Sequence, residues 1–272
     1  MLAKNRIGSH EKWLVSQRTF FVIPSLLFVI SAAVTIVRCV SMSTMGAMPM
    51  PGGWTMAPVW MPMGGQTWLD NAASFLGMWV VMMVAMMLPS LMPMLSRYRN
   101  AVGEAGEQRL SRLTAAVGLG YFFVWTALGI AIFPLGAALA AAEMQWLALA
   151  RAVPILAGVV VVIAGALQFT EWKAHRLACC REEPRYIGSL PANIRTAWGH
   201  GVRLGLRCSY CCAGLTAILL AVGVMDLLAM AAVMVAITAE RLAPAGERAA
   251  QVSGAVAVGA GLFLILRTAW LG

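Results

Sequence analysis

Charged residues are scarce in this chain of 272 residues, at 11% of the total. A soluble globular domain usually carries roughly 25% charged residues. Hydrophobic residues instead make up 61% of the sequence, and the mean hydropathy is +0.80. The composition therefore excludes an ordinary soluble domain and predicts a polytopic membrane protein.

Several functional motifs are also missing. The sequence has no phosphate-binding glycine loop, no nucleophile elbow and no paired-histidine metalloprotease motif. Its three histidines, His10, His175 and His200, lie at or outside the predicted membrane edges, so paired haem ligation is not expected. No basic stripe with interleaved aromatic residues suggests nucleic-acid binding. We therefore expect no bound nucleotide, haem or nucleic acid, and no enzymatic activity.

Apolar runs account for most of the chain. A helix crosses a hydrocarbon core of about 30 Å with roughly 20 residues. Uniformly apolar runs favour helices over a barrel, because a helix satisfies its own backbone polar groups in lipid. We predict an all-α polytopic membrane helix bundle with about seven transmembrane helices and no soluble domain. The predicted spans are residues 20–37, 72–95, 114–140, 152–169, 208–224, 227–240 and 252–270.

The basic residues indicate how the bundle is oriented. Of the 20 lysines and arginines, 17 fall on one side of the predicted membrane, and Arg38, Arg151 and Arg267 lie near the other. By the positive-inside rule, the first side is cytoplasmic. We therefore expect the N-terminus in the cytoplasm and the C-terminus outside, in a bacterial inner membrane with the lipid bilayer as a partner.

This orientation divides the chain into three predicted parts. An N-terminal tail with the first transmembrane helix covers residues 1–40, and an extracytoplasmic loop covers 41–70. A membrane domain covers 71–272. Within it we predict a methionine-rich helix at 72–95, a cysteine-containing cytoplasmic segment at 171–207 and a helical hairpin at 208–241.

The outer loop is rich in methionine, proline, glycine and tryptophan. Proline and glycine forbid a long helix and leave a pliable arm. Thioethers remain ligands for monovalent copper or silver where thiols would be oxidised. The alternative is an interfacial loop whose methionines and tryptophans lie among the lipid headgroups. The candidates for outer metal capture are Met42, Met45, Met48, Met50, Met56, Met61 and Met63.

The second predicted span reads MWVVMMVAMMLPSLMPM from Met78 to Met94. Helical spacing stacks Met78, Met82 and Met86 in one row and places Met83 and Met87 in an adjacent row. A soft metal ion could pass along this face, and a methionine-rich packing face is the alternative. Pro89 and Pro93 are expected to interrupt the helix and free carbonyl groups.

Six cysteines supply a second set of soft donors. A Cys-x-x-Cys pair where the fifth span is predicted to begin, beside Arg203 and Arg207, favours thiolates that bind metal or attack disulfides. A reducing cytoplasm favours metal or redox use over a structural disulfide, and inert buried thiols are the remaining alternative. The candidate ligands are Cys179, Cys180, Cys208, Cys211 and Cys212.

Two acidic residues, Asp226 and Glu240, stand at predicted membrane depth or its edge. A carboxylate inside a membrane usually has a partner or a function. Both residues are therefore candidates for an intramembrane charge, unless they are interfacial or Glu240 simply pairs with Arg241.

These motifs together resemble the predicted metal-binding integral membrane proteins of the domain of unknown function family 2182. The resemblance covers roughly residues 72–244. It rests on the motifs MWVVMMVAMMLP, GALQFTEWK leading to Cys179 and Cys180, and CSYC followed by GVM and the pair Glu240–Arg241. The chain departs from the family pattern at Cys212, where tryptophan is common, and at Arg241, where lysine is common. The resemblance implies metal binding.

We therefore expect a membrane protein that binds, and relays or transports, a soft metal ion, with copper favoured over zinc or silver. A metallochaperone or another membrane subunit is the expected protein partner. One alternative is a membrane thiol-disulfide carrier that uses Cys208 and Cys211. The other is a non-catalytic assembly subunit of a larger membrane complex.

Overall fold

Long apolar helices make up most of the computed structural model. It describes residues 2–44, 48–50, 54–56, 60–61, 65, 67–102, 107–181 and 193–271, and side chains within 20–42, 50, 54, 60–61, 65, 67–102, 108–181 and 193–270. In chain order the helices are α1 (Leu2–Thr44), α2 (Trp68–Val102), α3 (Glu107–Gln145), α4 (Leu147–Leu167), α5 (Glu171–Arg181), α6 (Ile194–Val222), α7 (Leu227–Leu242) and α8 (Gly246–Leu271). A short antiparallel pair of strands, β1 (Met48–Pro49) and β2 (Thr55–Met56), lies between α1 and α2.

The predicted all-α membrane bundle is confirmed. Within the described residues, six helices are long and apolar enough to cross a membrane: α1, α2, α3, α4, α6 and α8. Helix α7 was the shortest predicted span, and its 16 residues fall below the roughly 20 that a bilayer requires. Helix α5 is shorter still, and its sequence is polar.

Helix α2 occupies the centre of the bundle. In its most apolar stretch 56% of the residues are buried, against 17–33% in the other five candidate spans. It packs against α1, α3 and α7. Pro89 and Pro93 do not interrupt it as expected, because the helix continues to Val102. The hydroxyl of Ser90, the residue after Pro89, donates a hydrogen bond to the carbonyl of Met87.

Glycines allow the outer helices to approach one another closely. A side chain at Gly201 of α6 would meet the backbone carbonyl of Val117 in α3. Helices α4 and α8 meet through the glycine pairs Gly158 with Gly261 and Gly165 with Gly254. Small residues of this kind let membrane helices pack backbone to backbone, where apolar burial drives little association.

The two ends of the bundle carry different chemistry. One end, which we call the basic end, is where α2 and α7 finish and where α5 packs on α6. At this end the Arg97 guanidinium donates a hydrogen bond to the carbonyl of Arg181. At the other end, the loop end, α1 finishes beside the turn between α6 and α7, where the Cys39 thiol lies 3.9 Å from the Met225 sulfur. The loop between α1 and α2 also packs here, through Trp54 and Trp60.

Candidate metal centre

The methionines of α2 face the interior of the protein. The five in the two predicted rows are all buried, and Met82 and Met87 are fully so. Their neighbour Trp79 is fixed among them, because its indole Nε1 donates a 2.8 Å hydrogen bond to the carbonyl of Trp125. Helix α7 adds two more thioethers to the same core, those of Met230 and Met234. Soft donors thus line the centre of the bundle away from lipid.

Four cysteines gather at the basic end, and we call them the sulfur cluster: Cys180 on α5 and Cys208, Cys211 and Cys212 on α6. All four are buried, with exposed fractions of 0–5%. The sulfurs of Cys208 and Cys212 lie 3.8 Å apart. Cys211 is adjacent to Cys212 in α6, and the Cys180 thiol reaches the same helix at the carbonyl of Arg207, one residue before Cys208. Cysteines from two helices therefore form one connected set.

Cys180 joins this cluster, and its neighbour Cys179 does not. The Cys180 thiol lies 3.1 Å from the carbonyl oxygen of Arg207. Its pKa is raised by the neighbouring Cys211 side chain and by burial. Cys179 is half-buried and lies 3.6 Å from the Nε2 atom of His175. The fold thus distinguishes two adjacent cysteines that the sequence treats alike.

A buried arginine contacts the sulfur cluster. The Arg241 guanidinium donates to the Cys208 sulfur at 3.0 Å and to the Met94 sulfur at 3.2 Å. It also donates to the Ser90 hydroxyl at 2.9 Å. The Tyr121 hydroxyl donates to Cys208 from another side, at 3.0 Å. A cation and a hydroxyl donor beside one sulfur favour its thiolate form.

A buried ion pair adjoins the cluster. The Lys173 ammonium lies 2.7 Å from the Glu240 carboxylate, and it also donates to the Cys211 carbonyl at 2.7 Å. The Ser253 hydroxyl donates to the other carboxylate oxygen. Burial alone would lower the pKa of Lys173, but its interactions with Cys211 and with the Glu240 carboxylate outweigh burial and raise that pKa. Glu240 therefore pairs with Lys173 of α5 and not with its neighbour Arg241.

Sequence reasoning did not identify several residues at this centre. Helix α6 begins at Ile194, so Cys208 lies within the helix and not, as was predicted, at its start. The nearby cation is Arg241, while Arg203 and Arg207 are exposed. Tyr121, Ser90 and Met94 carry no local motif that relates them to the cysteines. Only the packing of α2, α3 and α7 around α6 brings them there.

The remaining candidates lie at the loop end. Asp226 is exposed and caps α7, accepting from the amides of Leu228 and Ala229 at 2.9 and 2.8 Å. Met50 is buried, and Met42 and Met61 are half-buried. The backbones of Met48 and Met56 face each other in the strand pair. Their side chains, with Met45 and Met63, lie outside the described part of the chain.

Within the described residues, no group of three or more His, Cys, Asp or Glu side chains is arranged to hold a metal ion. The sulfur cluster is a hydrogen-bonded set of thiols with two cations beside it. Thioether donors add to it through Met94. Thiolates and thioethers together suit soft ions such as monovalent copper.

One family model matches the chain, that of the copper chaperone family PpoB2, over residues 76–264. The match runs from α2 into α8 and so includes the methionines of α2 and the whole sulfur cluster. No curated protein and no solved structure matches the chain. The match confirms a relation to copper; it does not itself establish membership of family 2182.

The Lys173–Glu240 pair yields a prediction about stability. Lys173→Met leaves the Glu240 carboxylate buried without its cation, which costs about 3–5 kcal/mol, whereas replacing both residues with methionine removes that penalty. We expect the single variant to lower the midpoint temperature of unfolding in detergent and the double variant to recover most of the loss. Glu171→Gln, an exposed change in the same helix, is the control. A double variant no more stable than Lys173→Met would contradict this account.

Proposed function

The chain belongs to the copper chaperone family PpoB2, and on that premise we propose that it holds monovalent copper in the sulfur cluster at the basic end. The copper is cargo. It is bound by Cys208 and Cys212, with Cys211 and Cys180 beside them. Membrane helices that cover the cluster keep water and competing hard ligands away from the ion.

The observation that carries this proposal is the 3.8 Å separation of the Cys208 and Cys212 sulfurs. A metal–thiolate bond is about 2.3 Å long, as in zinc sites. Two sulfurs at this separation can therefore bind one ion with an S–metal–S angle of about 110°. Cys211, the neighbour of Cys212 on the same helix, is buried beside this pair.

Charge supports a monovalent ion. Arg241 and Lys173 contribute two buried positive charges and Glu240 one negative charge, so a single thiolate neutralises the empty centre. Binding of a monovalent cation requires one further thiolate to keep that balance. The centre then releases one proton for each copper ion bound. A divalent ion would need two further thiolates, which makes it the poorer fit.

The methionine face of α2 supplies a route to this centre. It extends from Met78 to Met87, and Met94 continues it to the guanidinium of Arg241. We propose that copper moves along these thioethers between the methionine loop and the sulfur cluster. With the basic end in the cytoplasm of a bacterial inner membrane, the loop would face outward. A soluble metallochaperone or another membrane subunit would exchange copper at one end.

The two other functions considered fit the site less well. A thiol-disulfide carrier needs a thiol that its partner can reach, and Cys208 and Cys211 are 0% and 2% exposed. All six cysteines are free. A purely structural subunit would leave unexplained why two cations and a tyrosine hydroxyl surround thiols at the centre of a membrane bundle, since buried charges are costly without a function or a partner.

Copper binding tests the cluster directly. We expect Cys208→Ser and Cys212→Ser each to lower the affinity for monovalent copper by more than about tenfold, which corresponds to about 1.4 kcal/mol. The affinity is measured by competition with a colorimetric chelator under reducing conditions. Cys179→Ser, one residue from the cluster, should bind like the wild type. Unchanged affinity in both cluster variants would exclude this centre.

Proton release tests the charge argument. Copper added to the purified protein in weakly buffered solution should release about one proton per ion, because the empty centre already holds one thiolate beside Arg241. By the same count a divalent ion requires two further thiolates, so Zn²⁺ should release about two protons per ion bound. Equal release with the two metals would contradict the proposed balance.

The route is tested by removing thioethers without changing packing volume. Met82→Leu with Met86→Leu should slow delivery of copper to the cluster by about tenfold or more in vesicles supplied from the loop end, since leucine fills the same space without a soft donor. Affinity at the cluster should not change. Met144→Leu, at the exposed end of α3, is the control. Normal delivery in the double variant would exclude this face as the route.

A further inference from the structure

A cavity lies at the loop end of the bundle, whereas the sulfur cluster lies at the basic end. Its volume is about 460 Å³, within the usual range for small-molecule sites. It opens between α3, α4 and the end of α6, under Trp54 and Trp60 from the loop. None of its described lining residues is a methionine or a cysteine. These residues differ from those of the proposed copper route.

The cavity wall is apolar and partly faces lipid. Leu135, Leu139 and Leu156 line it, and each is about half exposed or more on the outer surface of the bundle. In a membrane these side chains contact acyl chains. The cavity can therefore admit a ligand from the bilayer and hold its alkyl chain along this wall.

One carboxylate interrupts this apolar wall. Glu143, near the end of α3, is only 2% exposed, and it lines the cavity. Its Oε2 atom has no hydrogen-bond partner within the described part of the chain, and no cation there pairs with it. A buried carboxyl without a partner costs free energy that a ligand could recover.

Two tryptophans are fixed over the same cavity. The Trp54 indole donates a 2.7 Å hydrogen bond to the carbonyl of Ala150. The Trp60 ring packs at 5.2 Å from the Phe75 ring and rests on Gly136, where any side chain would collide with it. Aromatic rings beside a carboxylate form the usual environment for an alkylammonium group.

We propose that this cavity binds an amphiphilic organic cation. The ammonium group pairs with the Glu143 carboxylate beneath the two tryptophans, and the alkyl chain lies along the leucine wall. Charge complementarity selects the cation, because the described lining of the cavity offers one unpaired carboxylate and no sulfur donor. This inference does not depend on copper binding.

The test uses tetradecyltrimethylammonium as the probe. The full-length protein is placed in phosphatidylglycerol nanodiscs, which contain no ammonium lipid, and isotope-labelled probe is titrated against empty nanodiscs. We expect saturable binding of about one probe per chain, weakened about tenfold or more in Glu143→Gln. Glu247→Gln, an exposed acid in the first turn of α8, should bind like the wild type.

A second variant tests whether binding needs the volume of the cavity as well as the Glu143 charge. Ala157→Phe places a larger side chain in the cavity and keeps the Glu143 carboxylate, and it should also abolish saturable binding. Thermal unfolding of each variant shows whether the protein remains folded. Equal binding by wild type and Glu143→Gln, or equal binding of neutral tetradecyl maltoside to the wild type, would overturn the proposal.

Discussion

Arg241 carries a positive charge inside the bundle with 6% of its surface exposed, and the groups around it are those that such a charge requires. It donates hydrogen bonds to a hydroxyl and a sulfur of α2 and to a sulfur of α6. The guanidinium therefore joins these two helices to α7. No carboxylate within the described residues pairs with it, since Glu240 is taken by Lys173. An anionic sulfur is therefore the group that balances this charge.

This arrangement explains why the cysteines lie where they do. A thiolate in a low-dielectric interior needs a nearby cation, and a buried cation needs an anion. Arg241 and Cys208 meet both requirements at once. The Lys173–Glu240 pair neutralises itself and fixes α5 against α6, which brings Cys180 to the three cysteines of α6. The chemistry of the centre thus follows from charge balance in a membrane bundle.

The sulfur donors of the bundle and the loop-end cavity differ in chemistry. The methionine face of α2 and the sulfur cluster contain sulfur donors and one guanidinium, while the described lining of the cavity contains one carboxylate and two indoles. Monovalent copper prefers sulfur, whereas an alkylammonium ion prefers a carboxylate and aromatic faces. The two sites can therefore function in one protein without competing for a ligand.

Much of the fold could be predicted from composition and periodicity. The apolar runs predicted the helices, and the four-residue methionine spacing predicted a continuous face, because both depend on local repeats. Two predictions were wrong: the prolines do not interrupt α2, and α6 begins at Ile194 and not at Cys208. A membrane helix tolerates proline better than a soluble helix does, so α2 runs through both prolines to Val102, and the polar start of α6 does not resemble a span.

The sequence by itself determined that the chain is a helical membrane protein rich in soft donors, since hydropathy and residue type are local properties. Tertiary structure alone decided that Glu240 pairs with Lys173, that Cys180 and not Cys179 joins the cluster, and that Arg241 contacts Cys208. These pairings join residues 27 to 67 positions apart. Contacts at such distances follow from helix packing, which no local pattern encodes.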